Sequence, residues 1–253
     1  MTADEKTTLA RFLDLAGDYL KDGYARAREE CAFADDAPAG SSQPPESFSS
    51  LPLAYQVDED EEARLDEDLH DIAGDINNCK ACGLGASRTM AVPGEGALNP
   101  LVMVIGEGPG AEEDRTGRPF VGSAGQLLDR MLASIALSRE KNCYITNMVK
   151  CRPPGNRDPE AGEIAACFPF LEQQIRLLRP ALILCLGRVA AQSLLKTSQP
   201  LSALRGTFAT LELNIPVLCT YHPSAILRDD SLRRPAWEDL KLLKSKLDSL
   251  HEE

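Results

Sequence analysis

Residues 101–110 read Leu-Val-Met-Val-Ile-Gly-Glu-Gly-Pro-Gly, a five-residue apolar run that stops at a glycine turn. A run so short and so apolar predicts a strand buried on both faces, with a loop at its carboxyl end. Residues 181–186 (ALILCL) repeat the pattern, and 143–149 (CYITNMV) are β-like. Helical periodicity over 125–137, 161–178 and 189–195 alternates with these runs. Residues 208–221 hold one or two further strands around Asn214, and 236–250 read as a terminal helix. Alternating strand and helix predicts the α/β class, here a three-layer α/β/α arrangement with a central, mainly parallel sheet. Active loops in such folds lie beyond the carboxyl ends of strands. Both the 106–110 turn and His222 occupy such ends.

Toward the N-terminus the composition changes. Residues 1–70 carry 18 acidic and 6 basic side chains, whereas 71–253 carry 21 of each, so the net charge of −12 resides in the first part. An acidic chain suits nucleic acid poorly, but a neutral domain can still present one basic face. Apolar residues at helical spacing over 6–29 predict an amphipathic helix within 1–30. The Pro- and Ser-rich stretch 37–52 and the DEDEE run at 58–62 predict a disordered acidic linker over 31–70, leaving 71–253 as the folded domain. Within this region, 65–79 also reads as a helix running into the first cysteine pair. Eight cysteines without a basic and apolar leader point to a reducing cytoplasm and not to a disulfide scaffold. No stretch approaches the roughly 20 apolar residues of a membrane span.

Four of the cysteines are spaced as ligands. Cys79 and Cys82 form a C-x2-C, and after 68 intervening residues Cys151 and Cys167 form a C-x15-C. Four thiolates suit a tetrahedral zinc or a cubane iron-sulfur cluster, and sulfur ligands alone do not choose between them. Cys31, Cys143, Cys185 and Cys219 read as small buried residues.

The loop Gly106-Glu107-Gly108-Pro109-Gly110 is no dinucleotide fingerprint, because Ala111 stands at the sixth position and Pro109 lacks an N–H. Its acids, Glu107, Glu113 and Asp114, fit either a solvated helix start or a functional loop. Asn147 is a polar residue in an apolar strand and must find partners or offer its amide to a ligand. Phe120, in Arg118-Pro119-Phe120-Val121-Gly122, either covers the core or stacks on a flat ring. His222, held by Pro223, is equally a structural or a functional imidazole.

Taken together, GEGPG-x-EED, GRPFVG-x-AGQLLD, YITN-x-VKCRPP-x-NR-x-P and HPS resemble the family 4 uracil-DNA glycosylases over residues 76–250, leaving 1–70 unmatched. The resemblance implies a [4Fe-4S] cluster on Cys79, Cys82, Cys151 and Cys167, structural in role, and hydrolysis of the bond between uracil and deoxyribose in single- or double-stranded DNA. A glycosylase must flip its base out of the stack and read its edge. By similarity, Phe120 would stack on uracil, Asn147 would read O4 and N3, and Glu113 would block the thymine methyl. His222 would donate to uracil O2 as negative charge develops. Gly108 stands where the best-known branch of the superfamily has its aspartate base. Water would then be oriented by Glu107, by Asn156, or by backbone and DNA phosphate. Lys150, Arg152, Arg157 and Arg228 are candidate phosphate contacts, and Ile226 and Leu227 a candidate wedge into the vacated stack or a cap on the core.

Two other readings each fit part of the pattern. A non-catalytic, covalent-trapping uracil-DNA binder would carry a basic, histidine-containing insertion after the GRPFVG region, which here runs directly into Ser123. A Rossmann-like nucleotide enzyme would use the cysteines for structural zinc. The expected form is a monomer without membrane attachment. Residues 1–70 are a candidate docking segment for a repair or replication partner, a restraint on DNA binding, or a solubility tail.

Overall fold

The computed structural model describes residues 58–211 and 214–250. The expected helix in 1–30 and the linker up to residue 57 lie outside these. In chain order the helices are α1 (Glu59–Asn78), α2 (Leu84–Ser87), α3 (Ala111–Thr116), α4 (Ser123–Ala133), α5 (Ala161–Leu178), α6 (Gly187–Leu194), α7 (Leu201–Leu204), α8 (Pro223–Arg228) and α9 (Arg233–Leu250). The strands are β1 (Glu95–Gly96), β2 (Val102–Gly106), β3 (Cys143–Asn147), β4 (Leu182–Leu186), β5 (Phe208–Thr210) and β6 (Pro216–Thr220).

They form one mixed sheet in the order β1-β3-β2-β4-β6-β5. The four central strands are parallel, and the two edge strands pair antiparallel. Every residue of β2, β3 and β4 is buried, as expected of strands covered on both faces. On one face Met103, Ile105, Ile183 and Cys185 pack with Leu171, Ile175 and Leu178 of α5 and Ala190, Ala191 and Leu194 of α6. The alternate positions, Val102, Val104 and Leu184, belong to the opposite face by the period of two in a strand. The result is a three-layer α/β/α fold.

From β2 the chain crosses to β3 on one side, then returns past β2 to β4 on the other. The connections leaving the carboxyl ends of β2 and β4 therefore run in opposite directions, which is where open α/β sheets form ligand crevices.

One boundary differs from the sequence reading. The DEDEE run, assigned to the linker, supplies the start of α1: Asp58 is the N-cap, its Oδ1 accepting from Glu61 N–H at 2.8 Å, and Glu59, Asp60, Glu61 and Glu62 occupy the first turn. Acids repel one another in a chain without structure but are favoured beside the unpaired N–H groups of a helix start.

Candidate active site

The loop after β2 is anchored to the segment after β3. Met148 N–H donates to Gly106 O at 2.9 Å and Val149 N–H to Glu107 O at 3.2 Å, so the two segments stay joined past the end of β3. Gly106 is the close-approach point. A Cβ there would lie 2.4 Å from Asn147 Oδ1 and 2.6 Å from Phe120 Cζ. One missing side chain thus lets the Asn147 amide and the Phe120 ring meet at the end of β2.

Phe120 is held in a left-handed backbone conformation, φ 52°. Arg139 fixes the turn, Nη1 donating to Pro119 O and Nη2 to Phe120 O, both at 3.0 Å. Glu113 fixes it from the other side. Its Oε1 accepts from Val121 N–H at 2.9 Å and Gly122 N–H at 3.0 Å, and its Oε2 from Gly110 N–H at 3.1 Å. The side chain expected to block a methyl group therefore also joins the start of α3 to the Phe120 loop.

His222 follows β6 and caps α8. Its Nδ1 accepts from Ser224 N–H at 3.1 Å, with Ser224 Oγ 2.8 Å away. An imidazole accepting at Nδ1 is neutral and carries its proton on Nε2. Burial brings its pKa down to about 4, a shift reinforced by Arg228 and opposed by Glu113. The ring lies against Phe120, with centroids 5.6 Å apart and planes inclined by 32°. Gly187, at φ 88°, leaves space for it, since a Cβ there would be 3.0 Å from His222 Cβ.

The Asn147 side chain is buried, and its Oδ1 has no hydrogen-bond partner among the described residues. A buried acceptor without a donor is costly unless a ligand supplies one. Glu107, half-buried, has its carboxyl held above the usual carboxylate range by desolvation and by the Asp158 carboxylate, against the opposing charge of Arg188. Arg188 and Asp158 form an ion pair. Asn156 is exposed, its Oδ1 accepting from Arg152 Nε at 2.7 Å.

This geometry brings Phe120, Asn147 and His222 together at one end of the sheet, with Glu107 on the adjoining loop. The uracil DNA glycosylase superfamily model matches residues 93–241. The chain belongs to this superfamily. Among its relatives, the type-4 uracil-DNA glycosylase of Saccharolobus solfataricus is 44% identical over 191 residues, 72% of this chain and 88% of the relative. The type-4 uracil-DNA glycosylase of Thermotoga maritima is 43% identical over 183 residues, 71% of this chain and 95% of the relative. A type-5 uracil-DNA glycosylase of Pyrobaculum aerophilum is 37% identical over 153 residues, 53% and 66% of the two chains.

Two expectations about the DNA face are corrected. Lys150 is 1% exposed and faces no phosphate: its Nζ donates to Thr146 Oγ1 at 2.5 Å, Gln174 Oε1 at 2.7 Å and Asn147 O at 3.0 Å. Burial pulls its ammonium down to about 7, partly offset by the Cys167 thiol. Ile226, 1% exposed, belongs to the core, because the one-turn helix α8 can turn only one of two successive apolar residues outward. Leu227, 47% exposed, is the residue free to act as a wedge. Arg228 is exposed, whereas the Arg157 guanidinium is engaged by Glu163 at 2.7 and 2.9 Å.

Cys79, Cys82, Cys151 and Cys167 line one partly open cavity, together with Arg88 and Lys150. Among the described residues, no three His, Cys, Asp or Glu side chains converge to hold a single metal ion. The thiols instead stand around the cavity wall. Arg88 Nη1 donates to Cys151 Sγ at 2.9 Å, Lys150 N–H to Cys167 Sγ at 3.3 Å, and Ala81 N–H to Cys79 Sγ at 3.5 Å. Cys143, Cys185 and Cys219 are buried, as expected, and Cys31 lies outside the described residues. No described helix is long and apolar enough to cross a membrane.

Sequence reasoning missed several contributors. Gly106 and Gly187 were signalled only as glycines at strand ends. Arg139, Asp158 and Arg188 carried no motif, since their roles depend on partners distant in sequence.

Proposed function

We propose that this protein is a cytoplasmic repair glycosylase that flips uracil out of DNA and hydrolyses its N-glycosidic bond, leaving an abasic site. The observation that carries the reading is the orphan acceptor of Asn147 beside Phe120 and His222. Uracil presents an N3–H donor to such an oxygen, whereas neutral cytosine presents a bare N3 lone pair at the same place. Acceptor against acceptor leaves both unpaired, and sites built on a specific hydrogen bond reject analogues lacking it by about 10⁴-fold or more. Phe120 stacks on the ring, and the position of Glu113 beside it excludes the extra methyl of thymine.

Cleavage leaves electron density on the departing base. His222, neutral with its proton on Nε2, donates to O2 as that charge develops, an interaction commonly worth about 3 kcal/mol. Glu107, with its raised affinity for a proton, orients and deprotonates the attacking water, and Asn156 is the alternative orienting group. Leu227 fills the vacated stack, and Arg152 and Arg228 meet the backbone.

The donor set of the cysteine cavity fits a thiolate-ligated [4Fe-4S] cluster on Cys79, Cys82, Cys151 and Cys167: four sulfurs around a space, N–H donors to three of them, and two cations. Such a cluster supplies structural order to the loops beside the DNA and no step of the hydrolysis. An end-labelled oligonucleotide with one uracil, incubated and treated with alkali, tests the whole reading. Multiple-turnover scission at uracil is expected, with cytosine and thymine controls intact. Intact uracil strands with an iron-loaded protein would refute catalysis, and a stable protein–DNA adduct would favour the trapping alternative. Asn147→Ala is expected to lose discrimination against cytosine along with affinity.

A further inference from the structure

One residue joins the cysteine cavity to the end of the strand that carries Asn147. Lys150 lies between Asn147 and Cys151 and lines the cavity, its backbone N–H donating to Cys167 Sγ at 3.3 Å. Its three Nζ hydrogen bonds end on neutral oxygens, those of Thr146, Gln174 and the Asn147 carbonyl. These partners are themselves fixed. Gln174 Nε2 donates to Pro93 O at 2.9 Å and Tyr144 Oη at 3.3 Å, and Thr146 Oγ1 donates to Pro93 O at 2.9 Å.

The ammonium therefore has good hydrogen-bond geometry but no carboxylate. No carboxylate lines the cavity either, among the described residues, and its second cation is Arg88 on Cys151 Sγ. Buried charges without a counter-charge are strongly destabilising. Lys150, a wall residue whose ammonium has no counter-charge, and Arg88, whose guanidinium donates to Cys151 Sγ, mark a cavity built for an anionic occupant. A cluster whose four thiolates outweigh the positive charge of its iron-sulfur core is such an occupant.

We infer that Lys150 is a positioning residue that couples the cysteine cavity to base recognition, its ammonium serving as the buried counter-charge of the occupant and holding the Asn147 backbone through the same hydrogen-bond fork. The inference rests on the cluster reading above. The side chain touches neither DNA nor base. It acts on Asn147 through the peptide that carries it, and on the occupant through charge.

The test compares the wild type, Lys150→Met and Thr146→Val as purified holoproteins. Lys150→Met keeps the apolar stem and removes the charge and three donors. Thr146→Val removes one acceptor and keeps the charge. Three quantities are read: bound iron, the lifetime of the cluster absorbance in excess iron chelator, and KM and kcat on a uracil oligonucleotide. Outer partners of a metal site typically change affinity or activity by about 10- to 100-fold. Lys150→Met is accordingly expected to shorten the cluster lifetime about 10-fold and to raise KM about 10-fold, with kcat changed less than about 3-fold. Thr146→Val is expected to raise KM while leaving the lifetime unchanged.

An unchanged lifetime in Lys150→Met overturns the counter-charge role, and an unchanged KM overturns the positioning role. Where Lys150→Met yields no folded protein, an unchanged KM in Thr146→Val still overturns the positioning role, and a shortened lifetime there overturns the separation of charge from geometry. Uracil excision by a wild type that carries no iron would instead remove the cluster reading itself.

Discussion

Replacing Gly106 by alanine inserts one methyl group at the point where two walls of the proposed base pocket meet. The new Cβ would stand 2.4 Å from Asn147 Oδ1 and 2.6 and 2.8 Å from two carbons of the Phe120 ring. Ordinary carbon contacts lie at about 3.5–4.0 Å, so the amide, the ring or both must retreat by about 1 Å. Gly106 has no positive φ, and the damage is confined to packing. Overpacking of this kind costs roughly 1–3 kcal/mol in stability. A 1 Å misplacement of groups that orient a substrate can cost about 100-fold in rate. Gly106→Ala is thus expected to lower kcat/KM on a uracil oligonucleotide about 100-fold while the protein remains folded by circular dichroism. Gly74→Ala is the control. Gly74 lies inside α1 with nothing within 4 Å of its would-be Cβ, and the change should stabilise by about 0.5–1 kcal/mol without touching activity. If Gly106→Ala excises uracil within about 3-fold of the wild-type rate, Asn147 and Phe120 do not contact the base, and the roles assigned to them fail.

Three more outcomes are expected. The His222 ring should titrate near pH 4 by NMR, below its ordinary 6.5. The unfolded chain then takes up that proton first, so stability should fall as the pH drops from about 6.5 to about 4, a slope that His222→Gln should lack and that a midpoint above 6 would contradict. Glu107→Gln should cut kcat by about 10²-fold or more with little change in KM, and should abolish an acid limb that lies above the usual carboxylate range; unchanged kcat would transfer water orientation to Asn156 or phosphate. Asp239→Ala should cost about 3 kcal/mol in chemical denaturation, because Asp239, 1% exposed, accepts from Thr220 Oγ1 at 2.6 Å and from Arg205 Nε and Nη2 at 3.1 and 2.9 Å. A loss below about 1 kcal/mol would mean that Arg205 finds water instead.

The central strands were legible because burial on both faces leaves no polar alternation to misread, and the apolar runs around Val104 and Leu184 mark themselves. The edges were not. β1 is two residues long, Glu95 and Gly96, and its pairing to β3 depends on a fold already formed. Asn147 announced itself as a polar residue among apolar neighbours, whereas Lys150, three residues on, read as a surface cation. Composition gives a side chain's chemistry but not its direction, and the acceptor Gln174 lies 24 residues away. Ile226 and Leu227 were indistinguishable for the same reason. The acidic run at 58–62 was misassigned because identical charges favour disorder in a linker and order at a helix start. The cap on Asp58, which decides between them, needs the following turn to exist.

The Phe120 turn reaches furthest beyond its local geometry. The ring's backbone is set at φ 52°, Gly125 gives way to it so closely that a Cβ would lie 1.8 Å from Phe120 O, and Arg139 and Glu113 clamp both sides. The proposed base slot is therefore shaped before any DNA arrives, so the ordering entropy falls on folding and not on encounter. A slot ready for the base is also ready for the excised one. Free uracil should return to it and compete with fresh lesions, so that repair of densely deaminated DNA slows as its own product accumulates.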